Sequence, residues 1–372
     1  MTAYFLYHSI GQYPEKQADI TRVMASFAAA WAAPDDQQWG HVLGQRARFI
    51  ERWRALIDAP EHSVTTCENV TQGLHMLVTA LPPETLRGKR ILVAADCFPS
   101  NHFLLSKLQE RFGFTLDTVA ARQGAAWVES EDFITQWGPD VALALITWVS
   151  STSSHRVDLE ALVAHGRAMG SVIGVDITQA AGLIPFSVRA PAIDFAVSTS
   201  LKWMCGTPGA GVLHVAPELT RRCQPELRGW FSQPNPFSWA LDRFEYAPDI
   251  RRFDNGTPAS MAAIASLPAM DWHAAQDHAA ILAQNRRHTE WIIAEATRLR
   301  LDIVTPRAEA RRGGSIMCRM PGDGAPIVAA LRAQGIAADA RGAILRLSPG
   351  IITTDADIEA LMSALAPLTR SA

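Results

Sequence analysis

Short apolar runs alternate with longer amphipathic stretches through the middle of the chain. The apolar runs are rich in Val, Ile, Leu and Ala, which is typical of strands buried on both faces. We predict strands at Ser63–Cys67, Ile91–Ala95, Thr115–Val119, Val141–Thr147, Val172–Asp176, Asp194–Ser198 and Gly211–Val215. Apolar residues recur with helical spacing at Thr71–Ala80, Asn101–Phe112, Ser130–Gln136 and Leu159–Met169. This alternation predicts an α/β fold with a mainly parallel, seven-stranded sheet covered on both faces.

The pattern changes after the last of these strands. Residues 224–260 are irregular and rich in Pro, Trp, Phe and Asn, which indicates a long functional loop. A helical segment follows from Ser260 to about Leu299, and shorter strands and helices alternate beyond it. We therefore predict an N-terminal segment (residues 1–30) that packs on a small domain, a large domain (31–259) and a small α/β C-terminal domain (260–372).

Composition narrows the class of protein. Of the 372 residues 48% are hydrophobic and 19% charged, with a net charge of -3, which provides no general attraction to nucleic acid or acidic membranes. Neither a signal peptide nor an apolar run of membrane-spanning length is evident. Five scattered cysteines, without metal-type spacing, favour a reducing cytoplasm and no metal site.

Lys202 is the first candidate for chemistry. Only four of the 34 basic residues are lysine, and Lys202 lies between an apolar strand and the glycine-rich turn Gly206–Gly211. An ammonium in such a place loses hydration unless its pKa falls or it forms a covalent adduct. A desolvated lysine can serve as an amine nucleophile, above all for a Schiff base.

Asp176 is the second candidate. It ends a predicted strand 26 residues before Lys202, and ligands of open α/β sheets gather at the carboxyl ends of strands. Each residue alone has a simpler interpretation, a helix-capping aspartate and a lysine that extends to solvent. The pair in this order favours pyridoxal 5'-phosphate (PLP), because a lysine holds that cofactor and a carboxylate keeps its pyridine nitrogen protonated.

Two further segments follow predicted strands. In Glu68–Leu74 a strand gives way to a helix, so the free amides of Val70, Thr71 and Gln72 would form an anion site for a phosphate. Asn69 or Thr71 as a plain N-cap is the simpler alternative. In Cys97–His102, Phe98 could stack on a planar ring, although a loop phenylalanine is more often part of a core.

In these motifs the chain resembles the kynureninase branch of the class V, fold-type-I PLP enzymes. Phe98-Pro99-Ser100-Asn101 resembles its ring-stacking Phe-Pro-Ser/Thr-Asp segment, Asn69-Val70-Thr71 its phosphate loop, and Lys202 with the following glycines its Schiff-base segment. Leu227–Phe231 is similar to its Gly-Trp-Phe motif and Asn255–Pro258 to its Gly-Thr-Pro-like turn. His8–Gly11 is similar to its N-terminal Gly-Asn-Ser-Leu-Gly segment, and Arg346–Pro349 to its Arg-Val-Ala-Pro motif.

The resemblance implies a set of site residues. Lys202 and Asp176 would be catalytic, Arg346, Ser9 and His8 would bind the substrate, and the arginine would hold the α-carboxylate. Trp230 and Thr257 would reach the phosphate of a neighbouring subunit, which implies a homodimer with shared sites. The implied cofactor ligands are Val70, Thr71, Phe98, Ser100, Asn101, Thr147, Asp176, Gln179, Ser200, Lys202, Trp230 and Thr257.

Several positions depart from a typical kynureninase. Leu201 replaces a tyrosine before the lysine, Gln179 a histidine, and Asn101 an aspartate. The Tyr-Thr-Gly portion expected near Thr147–Thr152 is missing. Because the lost groups are proton donors and substrate contacts, the resemblance defines the cofactor more sharply than the reaction.

The function predicted is hydrolytic Cβ–Cγ cleavage of an amino acid of the kynurenine or 3-hydroxykynurenine type, with release of alanine. A PLP-dependent C–S lyase and a class V aminotransferase or epimerase are alternatives, since Lys202–Gly206 also resembles their lysine segment. A cysteine desulfurase is disfavoured because Ala337–Gly342 contains no cysteine. A non-enzymatic PLP-fold binder is disfavoured by the presence of both Asp176 and Lys202.

Overall fold

A computed structural model of the chain describes residues 3–368. The strands are β1 (Ala3–Tyr4), β2 (Val64–Cys67), β3 (Arg90–Ala94), β4 (Thr115–Val119), β5 (Val141–Thr147), β6 (Val172–Asp176), β7 (Phe195–Thr199), β8 (Gly211–Val215), β9 (Asp302–Ile303), β10 (Ile316–Arg319), β11 (Ile336–Ala337), β12 (Asp339–Arg341) and β13 (Ile344–Leu347). The α-helices are α1 (Lys16–Trp31), α2 (Gln38–Leu56), α3 (Val70–Ala80), α4 (Pro83–Leu86), α5 (Pro99–Phe112), α6 (Ser130–Gln136), α7 (Leu159–Met169), α8 (Pro217–Arg222), α9 (Met261–Ala274), α10 (His278–Arg298), α11 (Ala325–Ala333) and α12 (Asp355–Leu368).

The main sheet has seven strands in the order β2-β8-β7-β6-β5-β3-β4. All neighbouring pairs are parallel except those that β8 makes with β2 and β7. The predicted α/β fold with a mainly parallel sheet is thereby confirmed. Each predicted strand of this sheet lies within one residue of its observed bounds at either end.

Strand β5 shows why these apolar runs form the centre of the sheet. Successive side chains of a strand point to opposite faces. Leu143 and Leu145 lie in the core beneath α3 and α5, whereas Ala144 and Ile146 lie in the core beneath α2, α6 and α7. Burial on both faces requires apolar residues at every position, and this explains the absence of polar alternation.

A second sheet of four antiparallel strands has the order β12-β13-β10-β9. The hydrophobic core at this sheet, the third in the protein, includes residues of α10 and α12. Strand β1 pairs in parallel with β11, and Phe5 lies in the same core. Helix α9 instead contributes Leu267 and Met270 to the core of the large sheet.

The long helix predicted after Ser260 is divided into α9 and α10. Asp277 caps the second helix, because its carboxylate accepts hydrogen bonds from the backbone amides of Ala279 and Ala280 at 2.9 and 3.2 Å. The pattern also missed α1 and α2. Within the described part of the chain, no helix is both long and apolar enough to cross a membrane.

Candidate active site

A cavity of about 290 Å³ opens where β5, β6 and β7 end and where α3 and α5 begin. Eight of the residues predicted from sequence line it: Val70, Thr71, Phe98, Ser100, Thr147, Asp176, Gln179 and Lys202. The remaining lining residues are Asn69, Val149, Ser151, Thr178, Thr199 and Leu201. The cavity therefore lies at the carboxyl edge of the parallel strands, where ligands of such sheets bind.

Lys202 forms part of the cavity wall just beyond β7. Burial lowers the pKa of its ammonium to about 8, although the negative charge of Asp176 opposes this change. Its Nζ lies 5.4 Å from the centre of the Phe98 ring, whose face attracts a cation. Within residues 3–368 the ammonium forms neither a hydrogen bond nor an ion pair. Lys202 consequently becomes a neutral amine at a much lower pH than an ordinary lysine, whose pKa is 10.5.

Asp176 is the last residue of β6 and is 94% buried, with only 6% of its surface exposed. Its Oδ2 accepts a hydrogen bond from Asn101 Nδ2 at 3.1 Å, and its Oδ1 accepts one from the backbone amide of Thr178 at 3.0 Å. These two hydrogen bonds fix the orientation of the carboxylate. Asn101 does not line the cavity, but it holds Asp176 from behind.

The N-terminus of α3 lies at another side of the cavity. Asn69 is the N-cap, and its Oδ1 accepts a hydrogen bond from the Gln72 amide at 2.9 Å. That bond removes Gln72 from the anion site predicted from sequence and leaves the amides of Val70 and Thr71. Strand β8 passes close by, because a Cβ on Gly211 would lie 3.0 Å from the Cα of Asn69.

Three threonines bring hydroxyl groups to the cavity. The Oγ1 atoms of Thr147, Thr178 and Thr199 are buried and have no hydrogen-bond partner among the residues described. Sequence analysis predicted Ser200 in place of Thr199. The Ser200 hydroxyl instead accepts a hydrogen bond from Trp53 Nε1 and donates one to the Ala210 carbonyl, so it points into the core. The alternation of side chains along β7 places these two hydroxyls on opposite faces, and the contact with Trp53 decides which of them faces the cavity.

The N-terminal segment borders the cavity through its backbone. Gln179 Nε2 donates a hydrogen bond to the carbonyl oxygen of His8 at 3.1 Å. The His8 ring, which is 1% exposed, contacts Ser348 and Asp339. Neither His8 nor Ser9 lines the cavity, so the structure does not bring these two side chains to the place where a substrate would bind.

Arg346 lies behind the cavity wall and not in it. Its Nε donates a hydrogen bond to Asp339 Oδ1 at 2.8 Å and its Nη2 donates one to Asp339 Oδ2 at 2.5 Å. Its Nη1 points to the carbonyl oxygen of Ser151, a lining residue, at 3.5 Å. One edge of the guanidinium is therefore occupied by a carboxylate of the chain itself.

Trp230 and Thr257 do not line the cavity of their own chain. Trp230 contacts the rings of Phe231 and Phe237 at centroid distances of 4.6 and 6.1 Å. Thr257 is exposed. Their predicted role at the phosphate of a second subunit stays a prediction.

Comparison with known proteins identifies the family, because residues 44–361 match the class-V aminotransferase family. The chain belongs to the class-V aminotransferase family. The kynureninase of Deinococcus radiodurans is 27% identical over 326 residues, which are 82% of this chain and 77% of that protein. The kynureninase of Pseudomonas fluorescens is 26% identical over 349 residues, covering 90% and 80% of the two chains.

Solved structures confirm the fold type. A cysteine desulfurase from Thermococcus onnurineus superposes with a TM-score of 0.88 at 17% identity and covers 100% of this chain and 95% of its own. A cystine C–S lyase in complex with its product cysteine persulfide has a TM-score of 0.86 at 19% identity, with 98% and 97% covered. At such identity these two structures establish the fold and not the reaction.

The cavity also fits the cofactor of the class-V family. A PLP molecule needs an amine for its aldehyde, a carboxylate for its ring nitrogen and donors for its phosphate. Lys202 and Asp176 meet the first two needs, and the helix amides with three unpaired threonine hydroxyls meet the third. The protein is a class V enzyme that uses pyridoxal 5'-phosphate.

Proposed function

We propose that this enzyme is a kynureninase-like hydrolase. Its substrate is an amino acid of the kynurenine or 3-hydroxykynurenine type, its reaction is hydrolytic cleavage of the Cβ–Cγ bond, and alanine is one product. The observation that supports the proposal is that Lys202 and Asp176 line one cavity while Arg346 lies behind Ser151 in its wall. The chain is also similar to kynureninases over most of its length.

Lys202 has two tasks in this reaction. When bound, PLP supplies a ring that withdraws electrons from the α-carbon of the substrate. The Nζ of Lys202 holds the cofactor first and then, once released, takes the proton from that α-carbon. With a pKa of about 8, about a tenth of the amine is neutral at pH 7 and about half at pH 8, and this neutral form can accept a proton.

Other residues orient and polarise the reactants. Asp176, held by Asn101 and the Thr178 amide, keeps a proton on the ring nitrogen. Phe98 covers one face of the cavity beside Lys202, and the amides of Val70 and Thr71 face the phosphate. The guanidinium of Arg346 attracts the α-carboxylate of the substrate from behind Ser151.

The state of the cysteines disfavours desulfurase chemistry. All five cysteines, at positions 67, 97, 205, 223 and 318, are buried and unpaired. Burial raises the pKa of each thiol to about 12, whereas a sulfur acceptor must be an accessible thiolate. Unpaired thiols also fit the cytoplasmic location expected from the sequence.

Product analysis tests the proposal. Purified holoenzyme incubated with kynurenine or 3-hydroxykynurenine should release alanine and the matching anthranilate. Lys202→Ala should abolish turnover, and the borohydride-reducible bond to the cofactor should disappear from this position in peptide mass spectra.

Three other outcomes assign a different reaction. Pyruvate and thiol released from S-substituted cysteines would identify a C–S lyase. A keto acid formed only when an amino acceptor is present would identify an aminotransferase, and racemised substrate an epimerase. A colourless protein that ignores added PLP would contradict every one of these activities.

The proposal includes a homodimer. Trp230 and Thr257 would complete the phosphate site of the neighbouring subunit, which explains why neither reaches the cavity of its own chain. Two identical subunits that exchange residues in this way form two equivalent sites.

A further inference from the structure

Arg346 belongs to a hydrogen-bonded chain that runs through the small domain. The Oγ of Ser315 lies 2.6 Å from the Oγ of Ser348, which lies 2.6 Å from His8 Nδ1. His8 Nε2 lies 2.9 Å from Asp339 Oδ1, and the carboxylate of Asp339 receives the bidentate pair from Arg346. Four of the five side chains are buried, and only Asp339 is half-buried.

The protonation of this chain has one consistent arrangement. Burial lowers the pKa of His8 to about 4, so its ring is neutral near pH 7 and has one N–H. Burial opposes ionisation of Asp339, but hydrogen bonds from His8 and Arg346 outweigh it and hold the pKa of that carboxyl well below its usual range. His8 Nε2 therefore donates to Asp339, and His8 Nδ1 accepts from Ser348.

The pairing leaves one edge of the guanidinium without a carboxylate partner, with only a long contact to the Ser151 carbonyl at 3.5 Å. A guanidinium presents a side edge, formed by Nε and Nη2, and an end edge, formed by Nη1 and Nη2. Asp339 occupies the side edge, and the end edge points to Ser151 in the cavity wall. A substrate carboxylate would meet the end edge without displacing Asp339.

We propose that Asp339 and His8 are positioning residues that fix Arg346 by its side edge and present its end edge to the α-carboxylate of the substrate. This inference rests on the proposed function, because it concerns the same substrate group. His8 also connects this arrangement to Gln179 at the cavity through its backbone carbonyl. Carboxylate recognition thus depends on contacts between the N-terminal segment and β12, which are 331 residues apart.

A competing anchor lies nearby. Arg341 is two residues after Asp339 on the edge strand β12, so both side chains lie on the same face. It is exposed and forms no ion pair in the described part of the chain. If the pair with Asp339 prevented Arg346 from binding a second carboxylate, Arg341 would be the cation available to the substrate.

A pair of probes that differ only in the carboxylate separates these possibilities. L-Alanine and ethylamine are titrated against the holoenzyme, and the change in cofactor absorbance reports each Kd. Asp339→Asn should weaken binding of alanine at least about tenfold, since a misdirected anchor loses a bidentate contact. Binding of ethylamine should stay within about threefold. Asp339→Asn should add nothing further in an Arg346→Gln background, because the two residues act as a unit.

Matched variants make each outcome decisive. Asp302→Asn is the control, since Asp302 pairs with Arg319 at 3.3 Å on the same small sheet; it should leave both Kd values unchanged. The proposal would be overturned if the Asp339→Asn variant bound alanine as tightly as the wild-type enzyme, or more tightly. An equal loss for both probes would reduce Asp339 to a structural role. Loss of alanine preference in Arg341→Gln but not in Arg346→Gln would assign the anchor to Arg341.

The result is independent of the reaction. An enzyme that prefers alanine through Asp339 but releases no alanine from kynurenine would refute the proposed hydrolase and keep the anchor. Cleavage of kynurenine by an enzyme in which Asp339→Asn changes neither Kd would support the proposed hydrolase and refute the positioning role of Asp339.

Discussion

At the scale of single residues, chemistry in this protein depends on desolvation. Lys202 is a buried cation in the cavity wall, with its Nζ 5.4 Å from the centre of the Phe98 ring. Loss of water disfavours the charged form, and burial accordingly lowers the pKa of Lys202 to about 8. The charges of Asp176 and Arg346 act on this group in opposite directions.

This predicts how cofactor loading depends on pH. Below pH 8 Lys202 is mostly protonated, so covalent loading of the apoprotein with PLP should accelerate about tenfold per pH unit and level off above pH 8. Stopped-flow absorbance measures the rate. Asp176→Asn removes a charge that raises the lysine pKa and should move the midpoint down, and Arg346→Gln should move it up. A midpoint that stays near the ordinary value of 10.5 would contradict burial as the cause.

At the scale of elements, the N-terminal segment and the loop after β7 are packed against each other. The Gly11 amide donates a hydrogen bond to the Leu201 carbonyl at 2.9 Å, and Lys16 Nζ donates one to the Gly11 carbonyl at 2.7 Å. A Cβ on Gly11 would lie 1.9 Å from the carbonyl oxygen of Lys202. The absence of a side chain at Gly11 is therefore what allows the two segments to meet.

Gly11→Ala should separate these segments. Overpacking of this kind costs about 1–3 kcal/mol, so the free energy of unfolding in urea should fall by about that amount. The affinity for PLP should also fall, because the loop carries Lys202. Gly322→Ala is the control, since a Cβ there meets nothing within 4 Å. Equal stability of the two variants would show that the segment is not held against the loop.

At the scale of the whole molecule, an aromatic surface extends over α1, α2 and the 224–260 loop. Ring contacts connect Phe27, Trp31, Trp39, Trp230 and Phe237 in succession. Trp31, Trp39 and Phe237 are 46%, 43% and 69% exposed, and no side chain of α1 is buried within residues 3–368. Exposed apolar surface of this kind marks an interface, which supports the proposed dimer.

Mixed dimers test whether sites are shared. Lys202→Ala and the double variant Trp230→Ala/Thr257→Ala should each be inactive alone. After unfolding and refolding together in equal amounts, half of the dimers should be mixed, each with one intact site, so activity should recover to about a quarter of wild type.

A second mixture is the control. Lys202→Ala with Asp176→Asn places both defects in residues of one cavity, so no mixed dimer has an intact site and no activity should return. Recovery of activity in both mixtures, or sedimentation of the protein as a monomer, would refute active sites shared between subunits.

Much of the fold and half of the candidate site could be predicted from local pattern. Buried parallel strands are continuous apolar runs, so their bounds were found within one residue. Strands β1 and β11 were missed because each has two residues and exists only through the other. Helix α1 was missed because its burial is too slight to impose a clear apolar face.

The sequence by itself determined the strands of the large sheet and the order of Asp176 and Lys202 along the chain, because a continuous apolar run marks each buried strand locally. Only the tertiary structure decided that Thr199 and not Ser200 faces the cavity, since Trp53 binds the serine hydroxyl from another helix. It also decided that Asp339 occupies one edge of Arg346. The first contact joins residues 147 apart, and the second depends on the register of β12 against β13; no local pattern of apolar and polar residues contains either.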